Sequence, residues 1–372
     1  MMRDDNATKH LKKQINDKTL TIDKSFATSA MADIKNGADP NVTNDNDDTL
    51  FHLLANDKHN IEGIFDNEVK ELAKVCDVNR PNKDGITGIQ MLMKNTSSTD
   101  AAMRLILEIA TDISSDTRLI KSDQLKIIET ISTGSSGMIF KGSWNGNKIV
   151  AIKGLTFTFD TLIKCNREKN IMQKLSELKS PNIVGFFAYT VQKNSYFIVM
   201  EHAPCDLVDY LNSHHDLRWG ERLKIMSGIA EGLYQMHKVN IVHRDIKPEN
   251  ILIGNDGVSK ICDFGHARYI NDATDIGSGT EGYKAPEVVR NDLNYNRKCA
   301  DVYSFGLTMF EIFTDMNIKC YVDESKKSIY EVADNVKISG ENKRKMTQLV
   351  KECCDEDPMK RLEIGGVVKR LM

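Results

Sequence analysis

The chain has 372 residues, of which 40% are hydrophobic and 28% are charged, an ordinary balance for a soluble globular protein of two domains. A formal net charge of −3 excludes a general electrostatic attraction to nucleic acid or to anionic membranes. No apolar run reaches the about 18–20 residues of a membrane span, and no signal-peptide core follows the charged N-terminus. The eight cysteines lack metal-binding spacing, so we expect reduced thiols and a cytoplasmic protein.

The first third of the chain contains an internal repeat. Thr49 and Thr87 are separated by the same 38 positions as Asp39 and Asp77, and each Asp lies in a turn-forming cluster. Both threonines suit the N-cap position of a helix. A degenerate third turn is predicted at 110–113.

These two units resemble ankyrin repeats. A Gly-Ala-Asp turn at 37–39 precedes a helix start that contains His52, as in that family. Leu50 and Gly88 stand where the family has proline, and Gln90 replaces the histidine in the second unit.

The resemblance implies an all-α region of ankyrin-type repeats over residues 1–118, with the clearest units at about 36–110, and a linker at 119–124. Ankyrin repeats bind other proteins and carry no chemistry, so a protein partner is expected here. A helical bundle with coincidental turns is the alternative.

Strand-like segments after residue 125 enclose a glycine-rich loop. An apolar strand runs into a loop with Gly134 and Gly137, the hairpin turn Asn145-Gly146 follows, and another strand is predicted at 148–153. Glycines let a loop lie close over phosphate groups and offer backbone N–H groups to them. The segment therefore suits phosphate binding.

A helix with a carboxylate on its apolar face is predicted next. The face is formed by Leu162, Cys165, Met172 and Leu175. Glu168 falls on the same face, where a carboxylate is costly unless it is paired with a cation. Lys153 in the preceding strand is the natural partner, and a solvent-exposed Glu168 is the alternative.

A polar octet from His243 to Asn250 lies between two short apolar runs that are typical of buried strands. The octet is therefore a loop held at both ends. It presents the carboxylate of Asp245, the ammonium of Lys247 and the carboxamide of Asn250 to one region. These groups suit the transfer of a charged group to a hydroxyl.

Asp263 follows Asp245 by 18 residues, with the turn sequence 254–257 between two short strands. A hairpin of this length returns Asp263 to the side of Asn250. One charged and one neutral oxygen ligand, together with phosphate oxygens, suit octahedral Mg²⁺.

Residues 125–372 resemble the eukaryotic protein kinases. The resemblance rests on motifs in the family's order, namely His243–Asn250, Asp263-Phe264-Gly265, Ala285-Pro286-Glu287, Ala300–Gly306 and Asp357–Arg361. It implies a multidomain protein in which the repeats precede an α+β bilobal kinase fold that transfers the γ-phosphate of ATP.

The resemblance also implies a role for each matched residue. Asp245 accepts or orients the proton of the substrate hydroxyl, Lys247 steadies the γ-phosphate, and Asn250 and Asp263 hold Mg²⁺. The residues expected to bind ATP are Ile131, Gly134, Gly137, Ile139, Ala151, Lys153, Glu168, Glu201, Ala203 and Leu252.

Lys247 and the pair Gly279-Thr280 are similar to serine/threonine members of the family, and the sequence 302–306 is similar to its tyrosine-kinase-like group. Arg244 is expected to bind a phosphate on the activation segment, which runs from Asp263 to Glu287. The candidate acceptors of that phosphate are Thr274, Ser278 and Thr280.

A pseudokinase scaffold is the alternative from another functional class. In the glycine loop, Ser132 and Ser136 replace a glycine and an aromatic residue of the family's pattern. The residues that handle phosphate, metal and proton are all present, and they favour an active enzyme.

Overall fold

The computed structural model describes residues 4–17, 24–56, 71–78, 80–95, 118–134, 137–156, 159–192, 195–271, 277–292, 295–314 and 340–372. The predicted third repeat turn at 110–113, Ser136 of the glycine loop and Thr274 of the activation segment lie outside these ranges. Within them, no helix has both the length and the apolar character needed to cross a membrane.

The N-terminal region is helical over much of its described part. Its helices are α1 (Asp5–Ile15), α2 (Lys24–Lys35), α3 (Leu50–Asn56) and α4 (Gly88–Asn95). α1 begins after Asp4, whose carboxylate accepts the N–H groups of Asn6 and Ala7. α1 packs against α2, and α3 packs against α4. Their buried side chains include Leu11, Ala27, Leu50 and Leu92.

The two repeat units have the same local geometry at the predicted offset. Short antiparallel bridges end at Thr49 in the first unit and at Thr87 in the second. The side-chain oxygens of Asn44 and Asn82 each accept two backbone N–H groups of the turn that follows. The repeat seen in the sequence is therefore also a repeat in the backbone.

His52 is fully buried and links the two units. Its Nδ1 accepts the N–H of Thr49 at 3.1 Å, and its Nε2 lies 3.1 Å from the carbonyl oxygen of Ile86 in the second unit. In that unit Gln90 takes the same position, because its Oε1 accepts the N–H of Thr87 at 2.8 Å.

A five-stranded antiparallel sheet follows. Its strands are β1 (Leu125–Gly134), β2 (Gly137–Trp144), β3 (Lys148–Thr156), β4 (Phe186–Gln192) and β5 (Ser195–Glu201), in the spatial order β1-β2-β3-β5-β4. The predicted hairpin turn joins β2 to β3, with Asn145 at φ 50° and Gly146 at φ 81°, as a type I′ turn requires. Helix α5 (Phe159–Ser176) lies between β3 and β4 in the chain and packs against both.

The stretch expected as a linker at 119–124 is attached to this sheet. Ile120 donates its N–H to the carbonyl oxygen of Tyr189 in β4 at 3.0 Å. A 3₁₀ turn at Ser122–Gln124 then leads directly into β1.

The second lobe is mainly helical, with short strands that carry its loops. The strands are β6 (Cys205–Asp206), β7 (Ile241–Val242), β8 (Ile251–Ile253), β9 (Ser259–Ile261) and β10 (Arg268–Tyr269). The helices are α6 (Leu207–Ser213), α7 (Trp219–Lys238), α8 (Pro286–Val289), α9 (Arg297–Thr314), α10 (Glu341–Cys353) and α11 (Ile364–Leu371).

Two long helices form the centre of this lobe. The apolar face of α7 carries Ile225, Ile229, Leu233 and Met236, all buried. α9 is buried over most of its length, including Phe305 and Phe310, and packs against α7 and α10. This core supports β7 and β8, between which the polar octet lies. A β-sheet lobe followed by a helical lobe confirms the expected bilobal architecture.

Candidate active site

Asp301 of α9 holds the start of the polar octet. Its carboxylate accepts the N–H of His243 at 2.8 Å and the N–H of Arg244 at 2.7 Å, and it lies 3.0 Å from Nε2 of His237. Arg244 has a φ of 70°, in the left-handed region that non-glycine residues rarely adopt. The two backbone N–H groups that donate to this buried carboxylate offset the strain.

Asp245 lies at the centre of the octet and is buried. Its Oδ1 accepts both the N–H of Thr280 at 2.9 Å and its hydroxyl at 2.7 Å, while Oδ2 accepts Nδ2 of Asn250 at 2.9 Å. Nζ of Lys247 lies 3.4 Å from Oδ2. Burial opposes the charge of Asp245, but the hydrogen bond from Thr280 and the charge of Lys247 together hold its pKa below the usual range. Asp245 is therefore an ionised acceptor at neutral pH.

The hairpin of β8 and β9 brings Asn250 and Asp263 together, as the sequence predicts. Cys262, next to Asp263, donates its N–H to the carbonyl oxygen of Asn250 at 2.9 Å. Asp263 itself is in the left-handed region at φ 56°, and its Oδ1 accepts the N–H of Gly265 at 3.4 Å. This conformation turns the carboxylate toward Lys153.

Lys153 of β3 forms the predicted pair with Glu168 of α5. Its Nζ lies 2.7 Å from Oε1 of Glu168 and 2.8 Å from Oδ1 of Asp263. Burial opposes the charge of Lys153, but the two carboxylates raise its pKa above the usual value. Burial raises the pKa of Glu168, and Lys153 opposes that shift. One ammonium thus joins the sheet, the helix and the start of the activation segment.

The residues expected around a nucleotide base lie on both lobes. Ile139 of β2 is directly opposite Lys153 of β3, and Ala151 is two residues earlier on the same strand, so these side chains share one face of the sheet. Ile131 on β1 is half exposed, and Leu252 on β8 is partly buried in the other lobe.

Glu201 and Ala203 lie where the two lobes join, at the end of β5 and just after it. The N–H of Glu201 donates to the carbonyl oxygen of Gly185 at 2.8 Å, and its carboxylate lies 3.2 Å from Nζ of Lys260. Its side chain and N–H are therefore engaged within the protein.

The glycine loop is open at one glycine and tight at the other. A Cβ at Gly134 would meet no atom within 4 Å, so a ligand has room to approach its backbone. Gly137 has a φ of 114°, and a Cβ there would lie 2.7 Å from the carbonyl oxygen of Gly154. The loop thus requires glycine at Gly137 for its own fold and leaves space at Gly134.

The donor set fits Mg²⁺ bound together with a nucleotide. Asn250 uses its side-chain amide nitrogen to bind Asp245, which leaves its side-chain oxygen for a cation, and Asp263 follows Cys262, whose N–H binds the backbone of Asn250. Across the described ranges, no group of three or more His, Cys, Asp or Glu side chains is arranged to hold a metal ion. Mg²⁺ held by two such oxygens would complete its coordination with phosphate oxygens and water.

Two contacts of the site were not predicted. The first is the pair of hydrogen bonds from Thr280 to Asp245, although the Gly279-Thr280 motif had marked that position. The second joins His266, directly after Asp-Phe-Gly, to Ser278, with 2.5 Å between Nδ1 and Oγ. The sequence feature that could have indicated this contact is the histidine directly after Asp-Phe-Gly.

Comparison with known proteins supports the kinase domain expected from the sequence. Residues 125–371 match the family model described as Protein kinase domain. A probable serine/threonine-protein kinase of Dictyostelium discoideum is 32% identical over 262 residues, which cover 68% of this chain and 62% of that protein. The serine/threonine-protein kinase STY17 of Arabidopsis thaliana is 28% identical over 319 residues, which cover 83% of this chain and 54% of that protein.

The chain thus spans less than two thirds of the length of these relatives. Its matched region nevertheless includes both lobes, the glycine loop, the polar octet and every residue of the described site. The family model and the site geometry agree, and the chain belongs to the protein kinase family.

Proposed function

We propose that this protein is an ATP- and Mg²⁺-dependent kinase that phosphorylates serine and threonine hydroxyls of protein substrates. The observation that carries the proposal is the arrangement of Asp245 and Lys247 beside Asn250 and Asp263, with Lys153 linking Asp263 to the sheet. A proton acceptor, a cation and two metal ligands are what phosphoryl transfer to a hydroxyl needs.

Asp245 is the residue that orients the substrate hydroxyl and accepts its proton. Its low pKa keeps it ionised, and the amide of Asn250 holds one of its oxygens in place. Lys247 supplies positive charge near the transferred phosphate, and Lys153 binds the phosphates of ATP. Asn250 and Asp263 would hold Mg²⁺, which would supply positive charge beside the phosphate oxygens.

Serine/threonine specificity is supported by Thr280. Its hydroxyl accepts Nζ of Lys247 at 2.7 Å and donates to Asp245 at 2.7 Å, so the activation segment is tied to the two residues that meet the substrate hydroxyl. Both relatives are named as serine/threonine-protein kinases, which agrees with this specificity.

The N-terminal region, in this proposal, is an ankyrin-type module that binds a protein partner or regulates the kinase. The hydrogen bond from His52 in one unit to Ile86 in the next supports this, because it joins successive repeats into one body. A cytoplasmic location is also proposed, since none of the seven cysteines in the described ranges forms a disulfide bond. The tyrosine-kinase-like subgroup rests on the sequence 302–306.

The test is Mg²⁺-dependent transfer of labelled phosphate from ATP by the full chain, with phosphoamino-acid analysis of the product. Asp245→Asn should lose about a thousandfold or more in kcat, because it removes the proton acceptor and its charge. Asp216→Asn, which makes the same change at an exposed position, should match the wild type.

Label on serine or threonine, absent with Asp245→Asn, supports the proposed activity. Label on tyrosine would overturn the specificity. A wild-type protein that neither binds Mg-ATP nor transfers phosphate would be a scaffold built on the kinase fold.

A further inference from the structure

Residues 118–120 pair with the edge of the five-stranded sheet through one parallel bridge and act as a short edge strand. Leu119 is bridged in parallel to Tyr189 of β4. The N–H of Tyr189 donates to the carbonyl oxygen of Arg118 at 3.0 Å, and the N–H of Ile120 donates to the carbonyl oxygen of Tyr189 at 3.0 Å. Thr190 adds a hydrogen bond from its hydroxyl to the carbonyl oxygen of Ile120 at 2.7 Å. The stretch satisfies the open edge of β4.

Its side chains alternate between the two faces of the sheet, as in a true strand. Leu119 packs against the large core that includes Ile171 and Leu175 of α5. Ile120 packs against the separate cluster on the other face, which contains Val150, Ile152, Ala188, Phe197 and Val199. The strand is therefore bound through its backbone and through both faces.

Arg118 connects this strand to the end of α5. Its Nη1 donates to Oγ of Ser176, the last residue of the helix, at 2.9 Å. Its guanidinium lies 5.1 Å from the centre of the Phe186 ring at the start of β4. A cation at the C-terminus of a helix is also favoured by the helix dipole.

Tyr189 of β4, to which this edge strand is bridged, contacts the middle of α5. Nζ of Lys169 lies 4.9 Å from the centre of the Tyr189 ring, and that ring stacks on Tyr196 of β5. Lys169 directly follows Glu168, the partner of Lys153. The backbone of Tyr189 is held by residues 118–120, and its ring touches the residue next to the buried ion pair.

We propose that Arg118 is a positioning residue for the Lys153–Glu168 ion pair, a role that rests on the proposed kinase function. It holds the C-terminal end of α5, and the strand it belongs to holds β4 beneath the centre of that helix. When α5 is displaced, Glu168 leaves Lys153 and a buried charge loses its partner. Docking of residues 118–120 thus favours the population in which Lys153 is oriented for ATP phosphates.

Arg118 and the rest of the edge strand lie before residue 125, where the match to the kinase domain begins. A kinase fragment that begins at Leu125 would lack the edge strand, although it contains both lobes. Arg118 touches neither ATP nor substrate in this reading, so its effect must pass through α5.

The test uses the full chain and four variants. Arg118→Ala removes the hydrogen bond to Ser176 and the charge at the helix end, and Arg118→Lys keeps the charge. Thr190→Val removes the hydroxyl that binds Ile120 without changing the side-chain volume. Lys121→Ala removes the same charge from an exposed position three residues away. The readouts are amide hydrogen exchange in α5, measured without nucleotide, and kcat and KM for Mg-ATP.

Arg118→Ala should speed exchange of the α5 amides and lower kcat/KM for ATP, each by about threefold to tenfold, the effect expected of one hydrogen bond. Thr190→Val should shift both in the same direction, and Arg118→Lys should recover part of the loss. Lys121→Ala should match the wild type.

The proposal would be overturned if Arg118→Ala and Lys121→Ala showed the same α5 exchange and the same kcat/KM for Mg-ATP. The proposal would also be overturned if Arg118→Ala lowered the melting temperature but left the exchange of the α5 amides unchanged. That result would mean that Arg118 stabilises the fold without positioning α5. The exchange measurement needs no catalysis, so an inactive wild type would reject the kinase proposal while this arm still decides whether Arg118 holds α5.

Discussion

Arg361 and Glu287 form a bidentate ion pair inside the helical lobe. Nη1 lies 2.6 Å from Oε1, Nη2 lies 2.8 Å from Oε2, and both side chains are almost fully buried. Glu287 belongs to α8, which ends the activation segment, and Arg361 follows α10. The pair thus anchors the segment that carries Thr280 to the far side of the lobe.

Arg361→Ala should lower the free energy of unfolding by about 3–5 kcal/mol, because it leaves the carboxylate of Glu287 buried without its cation. Urea unfolding of the full chain measures this. The matched control is Arg370→Ala, which breaks the more exposed pair with Glu352 at 2.8 Å and should cost no more than about 1 kcal/mol. Equal losses in the two variants would show that the buried pair adds no special stability.

Lys153→Met should abolish tight ATP binding and destabilise the protein by about 3–5 kcal/mol, because Glu168 and Asp263 would face each other without the ammonium between them. Adding Glu168→Gln should restore part of the stability, since it removes one of the two buried charges. It should not restore ATP binding. Urea unfolding and a nucleotide titration separate the two effects, and a double variant no more stable than Lys153→Met would contradict the pairing.

Asp301→Asn should reduce kcat with little change in KM for ATP. The new amide group can accept only one of the N–H groups of His243 and Arg244, so a buried donor is left unsatisfied at a cost of about 1–3 kcal/mol. The octet would lose its orientation while the ATP contacts of the sheet remain. Steady-state kinetics measure this, with the exposed Asp292→Asn as the control. A selective rise in KM would count against it.

Stability should fall on the acidic side of neutrality partly because of His266. Burial lowers the pKa of this imidazole below its usual value of 6.5. The folded state therefore binds the proton less tightly than the unfolded state, and stability is lost as the pH falls below about 6.5 and through the folded pKa.

His266→Asn should make the melting temperature less dependent on pH between about 7 and 5. Some slope should remain, because burial also lowers the pKa of His202. His215→Asn, at an exposed position, should leave the slope unchanged. A slope that is the same in all three proteins would exclude a contribution from His266.

His52→Ala should destabilise the N-terminal region by about 2–4 kcal/mol, because it leaves the N–H of Thr49 and the carbonyl oxygen of Ile86 without their partner. His52→Gln should cost less, since Gln90 already accepts the equivalent N–H of Thr87 in the second unit. Hydrogen exchange of α3 and α4 measures the effect. Equal exchange in both variants would mean that the link to Ile86 carries all of the stability.

Much of the kinase lobe architecture was predictable from the sequence, and it is confirmed. The hairpin turn Asn145-Gly146, the buried face of α7 and the octet between two strands all follow from local patterns of turn residues and apolar spacing. The pairing of Lys153 with Glu168 was also predicted, because a carboxylate on an apolar helix face requires a cation. The roles assigned to the site residues stay predictions until catalysis is measured.

The sequence by itself determined which short segments turn, alternate or coil, since these depend on neighbours within a few residues. Only the tertiary structure decided that Thr280 binds Asp245 and that residues 118–120 dock on β4. Each of these contacts joins residues that are far apart in the chain. These residues come together only when the sheet, α5 and α9 pack against one another, which local sequence patterns do not specify.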